Sequence, residues 1–400
     1  YNDPSCLIAV FAHNKAFAVR YRQTAAARLF HTEYCHTTIL RWINHTMAYY
    51  IRDNLPSESI LGSRRPTINE FFLSSYTMSI YTGCELGCSY CDGWAYSARP
   101  LTEAVRVPLD LPQRLAAELD SVDRGDLIAI TALSDPYQPA EQIYRITRQV
   151  LQALSDAGQP CLIMTKSARI LDDLPVLKQL NERSLAIVMT TLLTINPQMA
   201  ERLDGKAPPP RVRLDTLKAL KQAGIPVGVA LLPIIPYVND ADFALVELLR
   251  ACAKAEVDFV IWDYLHIPNE RHRTRINEIL ARVGSYPASY YRDIYGNQPF
   301  VSASYRAERD AVILQRCDGL DLEPRVPHKI FAGWLRPANE IALLLKHAAF
   351  RDTVRGRHLI ARRNRELAEL AYQDKASRED LSASPLWPTI RRVLYGEPDD

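Results

Sequence analysis

The stretch Tyr81–Trp94, YTGCELGCSYCDGW, carries Cys84, Cys88 and Cys91 at CxxxCxxC spacing. It follows an apolar, β-branched run, so the three thiols fall in a loop at the end of a strand. Structural zinc sites close four ligands from paired CxxC knuckles or Cys/His mixtures. Cluster ferredoxins place a fourth Cys in the same run. Here no Cys or His follows Cys91 until Cys161. Three thiolates without a fourth fit an iron–sulfur cluster with one iron left open for chemistry. A zinc site and a group of reduced thiols with no metal are the alternatives.

Outward from this loop the pattern is regular. The runs Tyr76–Thr82, Leu127–Leu133, Cys161–Thr165, Leu185–Leu192, Pro226–Leu232 and Phe259–Tyr264 are short and apolar. Between them lie stretches of helical period, Leu111–Val122, Pro139–Ala157, Ile170–Asn181, Arg211–Ala223 and Asp240–Ala255. Gly158 and Gly224 stop two of these helices ahead of a Pro-led strand. Parallel strands need helix-sized crossovers, and strands covered on both faces read as continuous apolar runs. The expected fold class is therefore α/β, a six-unit (β/α) partial barrel of parallel strands with a mainly helical C-terminal extension; a doubly wound sheet is the alternative. In both, ligands bind at the carboxyl ends of the strands, where the cysteine loop sits.

The chain of 400 residues is 48% hydrophobic and 24% charged, with a formal net charge of +2. These values describe a globular chain without a polyanion-binding signature as a whole. No apolar stretch reaches transmembrane length: Leu7–Val19 is broken by His13, Asn14 and Lys15. Unpaired cysteines and the lack of a signal-peptide pattern place the expected location in the cytoplasm, with no membrane partner. Residues 1–46 hold four of the nine histidines, His13, His31, His36 and His45, with poor apolar periodicity. They read as a leader, or as upstream sequence translated before a start near Met47, rather than as a metal site on Cys6, His31, Cys35 and His36. The core is expected over 47–285 and the extension over 286–400.

The extension follows a Tyr-rich loop (Tyr286, Tyr290, Tyr291, Tyr295) and carries helical stretches near Ala303–Gln315, Pro337–Phe350 and Thr353–Tyr372. Residues 325–393 hold 14 Lys/Arg against 7 Asp/Glu, most densely over Arg351–Arg365. Such a patch either contacts nucleic acid or is a solvated helix face.

On these residues the chain resembles the radical SAM enzymes, marked by CxxxCxΦC with an aromatic at Φ, the place of Tyr90. The resemblance implies a 4Fe–4S cluster on Cys84, Cys88 and Cys91, with S-adenosylmethionine on the open iron. It also implies reductive cleavage to a 5′-deoxyadenosyl radical that abstracts hydrogen from substrate, and an electron donor of the flavodoxin or ferredoxin type. The segments LSDPYQPAE (133–141), LIMTKS (162–167), TINP (194–197), RVRLDTLKAL (211–220) and GIPVGVALLPIIPYVND (224–240) stand in the order of the spore photoproduct lyase-like branch, the DNA repair photolyase-like radical SAM proteins. In that branch the serine of the S-D pair and the lysine of the T-K pair contact the cofactor, which implies such roles for Ser134 and Lys166. The same carry-over reaches Thr194 and Arg213.

Two departures separate the chain from spore photoproduct lyases. Their hydrogen-donor cysteine, two positions before the S-D serine, is Ala132 here, and the tyrosine usual after the third cluster cysteine is Asp92. The sequence names no hydrogen donor: Cys317 reads as a buried, inert thiol, Tyr137 as a packing residue and Asp135 as a turn cap or a cavity residue. A nucleic-acid repair or modification enzyme and a non-catalytic protein with a structural metal site are the rival functions.

Overall fold

β-Branched and aliphatic runs flanked by helix stops form strands because their side chains pack on a pleated surface covered on both sides. A computed structural model describes residues 48–54, 58–97, 100–131, 134–283 and 288–396. The leader, Cys6, His31, Cys35, His36, Ala132, Tyr286 and the side chain of Tyr290 lie outside the described residues. The strands are β1 (Tyr49–Asp53), β2 (Tyr76–Met78), β3 (Ala104–Pro108), β4 (Ile128–Ile130), β5 (Cys161–Met164), β6 (Ala186–Thr191), β7 (Val227–Ile234) and β8 (Phe259–Tyr264). Six of them make one parallel sheet in the order β2-β4-β5-β6-β7-β8. This is the expected six-unit α/β arrangement. Its strand order follows the chain, so every crossover moves one place along the sheet. The main crossover helices are α1 (Leu111–Leu119), α2 (Ile146–Ala157), α3 (Leu174–Arg183), α4 (Pro210–Gln222) and α5 (Asp242–Lys254).

The two faces of the sheet are covered by different parts of the chain. Ile128, Ile130, Ile163, Val188, Val229 and Trp262 share a core with Leu115 of α1, Leu154 of α2, Leu180 of α3, Leu217 of α4 and Leu248 of α5. Their alternates along the strands, Leu127, Leu162, Ile187, Met189, Phe259 and Ile261, pack with Ile330, Phe331 and two C-terminal helices, α6 (Pro337–Val354) and α7 (His358–Tyr372). The helical C-terminal region thus covers the second face of the sheet, and Ala48–Asp400 form one compact unit. Polar contacts lock this packing. Asn339 of α6 donates to the Gly125 carbonyl at 2.9 Å and to Asp126 at 2.7 Å, and Arg64 pairs with the same aspartate at 2.8 Å.

Two expected helices differ in detail. Pro139–Ala157 is broken at Arg145, whose φ of 52° is left-handed. The break lets the Glu141 carboxylate accept from Thr147 N and Arg148 N, capping α2. Ile170–Asn181 opens as a 3-10 turn over Ala168–Asp173 before α3; Pro175, with no N–H, suits the helix start. β1 and β3, which pair in parallel beside the main sheet, were not anticipated.

Leu343 is fully buried between α6 and the sheet. Leu343→Ala is expected to lower the unfolding free energy by about 2–5 kcal/mol, read from urea denaturation. A loss below about 1 kcal/mol would mean that the C-terminal helices contribute little to covering the sheet.

Candidate active site

The carboxyl ends of all six parallel strands meet a cavity of about 350 Å³. After β2 come Cys84, Cys88, Tyr90, Cys91 and Asp92; after β4, Thr131, Ser134 and Asp135; from the end of β5, Met164, Thr165 and Lys166. Thr191 closes β6, Leu232 and Pro233 lie on β7, and Asp263, Tyr264 and His266 on or after β8. Parallel strands deliver these residues because every strand ends on the same side of the sheet.

The cysteine loop has no regular strand, and its backbone is tied down by neighbours. Cys84 N donates to Leu101 O at 3.0 Å, Glu85 N to the Gln138 amide oxygen at 2.9 Å, and Ser89 N to Leu203 O at 2.8 Å. The Trp94 indole donates to the carbonyl of Cys88 at 2.9 Å. Gly83 opens the loop at φ 92°, and a Cβ there would stand 2.2 Å from Ala104 O. Only glycine satisfies both the dihedral and the contact with the β3 strand.

Three sulfurs therefore edge one cavity, and no fourth cysteine among the described residues lines it. Among the described residues, no three His, Cys, Asp or Glu side chains converge on a single-ion position. A tetrahedral zinc with sulfur at about 2.3 Å would need such convergence, whereas a four-iron cluster takes each thiolate on a separate iron. The donor set fits a cluster better than a zinc ion. In the metal-free chain, burial pushes the Cys84 thiol up to about 12, with Asp135 adding to it. Burial also raises Cys88 and Cys91, against which Lys166 acts. Ligation must displace those protons.

Lys166 supplies positive charge to the cavity. Burial works against its ammonium, but Cys88, Asp204 and Asp135 outweigh that and leave its pKa raised. Its Nζ lies 5.8 Å from the Tyr90 ring centroid. Asp135 does more than cap a turn. Its carboxylate accepts from Tyr137 N at 2.9 Å, Thr165 Oγ1 at 2.6 Å and Lys166 N at 2.8 Å, joining the β4 and β5 loops. Ser134 Oγ donates to Tyr81 O at 2.8 Å. Tyr137 is buried and its hydroxyl donates to Asp173, and Cys317 is fully buried away from the cavity.

Of the residues singled out in the sequence, Cys84, Cys88, Tyr90, Cys91, Ser134 and Lys166 line the cavity together. Thr194 and Arg213 do not line it. Thr194 Oγ1 accepts from Asn196 N in a turn. Arg213 is buried, donating to the carbonyls of Pro208 and Thr191 and pairing with Asp204 at 2.8 Å. Asp204 was missed in the sequence; the pointer to it was an arginine on the buried face of a helix, which demands a carboxylate partner. In the basic run, Arg351, Arg355, Arg357 and Arg362 pair with Glu323, Asp318, Asp352 and Glu366. No helix of the described residues is long and apolar enough to cross a membrane.

The comparisons agree with this geometry. The model of the radical SAM superfamily matches residues 78–249. The uncharacterized protein Rv2578c of Mycobacterium tuberculosis is 29% identical over 246 residues, covering 58% of this chain and 70% of that protein. A radical SAM Nα-GlyT isomerase of Pseudomonas phage M6 is 22% identical over 255 residues, covering 62% of this chain and 52% of the isomerase. Among solved structures, spore photoproduct lyase complexed with dinucleoside spore photoproduct aligns at a TM-score of 0.55 with 11% identity, over 74% of this chain and 85% of that one. That likeness is one of fold. The superfamily's cofactors are a 4Fe–4S cluster and S-adenosylmethionine, and a spore photoproduct lyase variant is among the similar structures with S-adenosylmethionine bound. With its three-cysteine loop on the strand-end face of a six-stranded parallel sheet, this chain carries a radical SAM domain over residues 78–249.

Proposed function

We propose that Cys84, Cys88 and Cys91 hold a 4Fe–4S cluster in this cavity and that the chain uses S-adenosylmethionine to abstract hydrogen from a substrate held at the strand ends. One observation carries this reading: the three thiols, Ser134 and Lys166 line a single cavity bounded by all six strand ends. When bound, the cluster would supply one electron for the reductive cleavage of S-adenosylmethionine. The residues do the rest. Lys166 offers a cation to the methionyl carboxylate, held in place by the Asp135 bond to its backbone N–H. Ser134 and Tyr90 line the same space, and Leu232, Pro233 and Tyr264 add apolar lining from β7 and β8. The electron comes from a reduced flavodoxin- or ferredoxin-type donor.

The test is anaerobic reconstitution followed by iron and sulfide analysis and assay of 5′-deoxyadenosine under dithionite. The wild type is expected to bind about four irons, with Cys84→Ala, Cys88→Ala and Cys91→Ala each losing most of the iron and all of the product. Lys166→Met is expected to keep the iron but weaken S-adenosylmethionine binding about tenfold or more, the scale of a charge-assisted bond of about 1.5–3 kcal/mol. Iron retained by all three cysteine variants would overturn the assignment.

A narrower reading, in which the substrate is a modified nucleobase within nucleic acid, is supported by the names of two similar proteins, a lyase of a dinucleoside photoproduct and a GlyT isomerase. The internal pairing of the basic run weighs against tight backbone binding. If nucleic acid is the substrate, oligonucleotide affinity should fall steeply between 50 and 200 mM salt, as for any multi-phosphate contact. No binding at low salt would leave the radical chemistry standing and remove this substrate.

A further inference from the structure

Behind the cysteine loop lies a buried network that none of the cofactor roles uses. The Tyr90 hydroxyl donates to Asp204 Oδ1 at 2.5 Å. Asp204 Oδ2 pairs with Arg213 Nη2 at 2.8 Å, the two side chains being 3% and 1% exposed. Arg213 in turn donates through Nε to Pro208 O at 2.8 Å and through Nη1 to Thr191 O, at the end of β6, at 2.9 Å. The backbone runs alongside. Ser89 N and Oγ both donate to Leu203 O, Lys206 N donates to Leu86 O at 2.8 Å, and Cys88 Sγ lies 3.6 Å from Asp204 O. Gly205, at φ 61°, is what allows this approach: a Cβ there would stand 2.3 Å from Leu86 O and 2.8 Å from Gly87 O. The segment Leu203–Lys206 is therefore a splint along the ligand loop, and its Asp204 carboxylate and the Arg213 guanidinium paired with it are sealed from water.

We propose that Asp204 and Arg213 are positioning residues for the cluster: through Tyr90 they hold the Cys88–Cys91 turn, and as a balanced buried charge pair they set how readily the cluster is reduced. This rests on the assignment of Cys84, Cys88 and Cys91 as cluster ligands. Two features separate the pair from ordinary packing. A buried ion pair is a weak source of stability in itself, but removing one partner leaves the other charge uncompensated. Here the uncompensated charge would stand beside a cluster ligand in a medium that screens it poorly. Net charge and hydrogen bonding near a cluster are the terms by which a protein moves its potential.

The consequence has a sign. Asp204→Asn keeps the shape and leaves the Arg213 cation unbalanced, so the added electron is favoured and the midpoint potential rises. Arg213→Gln leaves the Asp204 anion unbalanced, so the potential falls. Asp204→Asn combined with Arg213→Gln restores neutrality and returns the potential most of the way to wild type. Each single change is expected to alter the one-electron reduction equilibrium about tenfold, or about 59 mV.

The experiment is a redox titration of reconstituted protein followed by electron paramagnetic resonance, with iron content and thermal melting measured on the same samples. Opposite shifts in the two single variants, with recovery in the double, support the proposal; a purely structural role moves melting temperature and leaves the potential alone. If Arg213→Gln fails to fold, the rise in Asp204→Asn decides the matter. An unchanged or lowered potential in Asp204→Asn with full iron content overturns the proposal. A wild type that binds no cluster overturns the ligand assignment instead, so the two failures are told apart.

Discussion

Between Thr82 and Gly93 the chain has neither strand nor helix, yet it must present three thiols to one cavity. Its backbone hydrogen bonds must therefore come from elsewhere, since buried backbone groups left unpaired are costly. Leu101 serves Cys84, Gln138 serves Glu85, Leu203 serves Ser89, and the indole of Trp94 serves the carbonyl of Cys88. Leu101, Gln138 and Leu203 belong to three different segments, and Trp94 follows directly on the loop. The loop is thus tied to segments that only the folded chain brings to it, which links the chemistry of the site to the stability of the fold.

The sheet in turn depends on being covered twice. Alternate residues of the same strand face different partners, Ile163 the crossover helices and Leu162 the C-terminal ones. The region that looks like a basic appendage covers one face of the sheet, and part of its charge is spent on ion pairs with neighbouring segments. Arg351 with Glu323 and Lys346 with Glu369 are examples. Local charge excess in a sequence does not by itself make a binding surface when the neighbours are acidic in space rather than along the chain.

The six strands and their crossovers were legible because apolar period and helix stops are local signals; the run Phe259–Tyr264 matches β8 residue for residue. The three cysteines were legible from spacing, and Ser134 and Lys166 from resemblance, and the structure brings all five to one cavity. What was not legible is non-local. β1 and β3 are short strands that pair across about fifty residues of chain, and neither carries a turn signal that announces the pairing. Arg213 was expected at the cofactor and instead faces Asp204, because a guanidinium on a buried helix face needs a carboxylate more than a ligand. The break at Arg145 was hidden in the same way, since only the fold shows that Glu141 caps the helix that follows.

The proposed chemistry requires that one iron of a cluster on Cys84, Cys88 and Cys91 be open to S-adenosylmethionine. Electron paramagnetic resonance of the anaerobically reconstituted, dithionite-reduced protein, with and without S-adenosylmethionine, tests it directly. A reduced 4Fe–4S signal whose shape changes when the cofactor is added is the expected result. A cluster signal indifferent to the cofactor would contradict it by showing a closed site, and no iron signal would contradict it by removing the cluster.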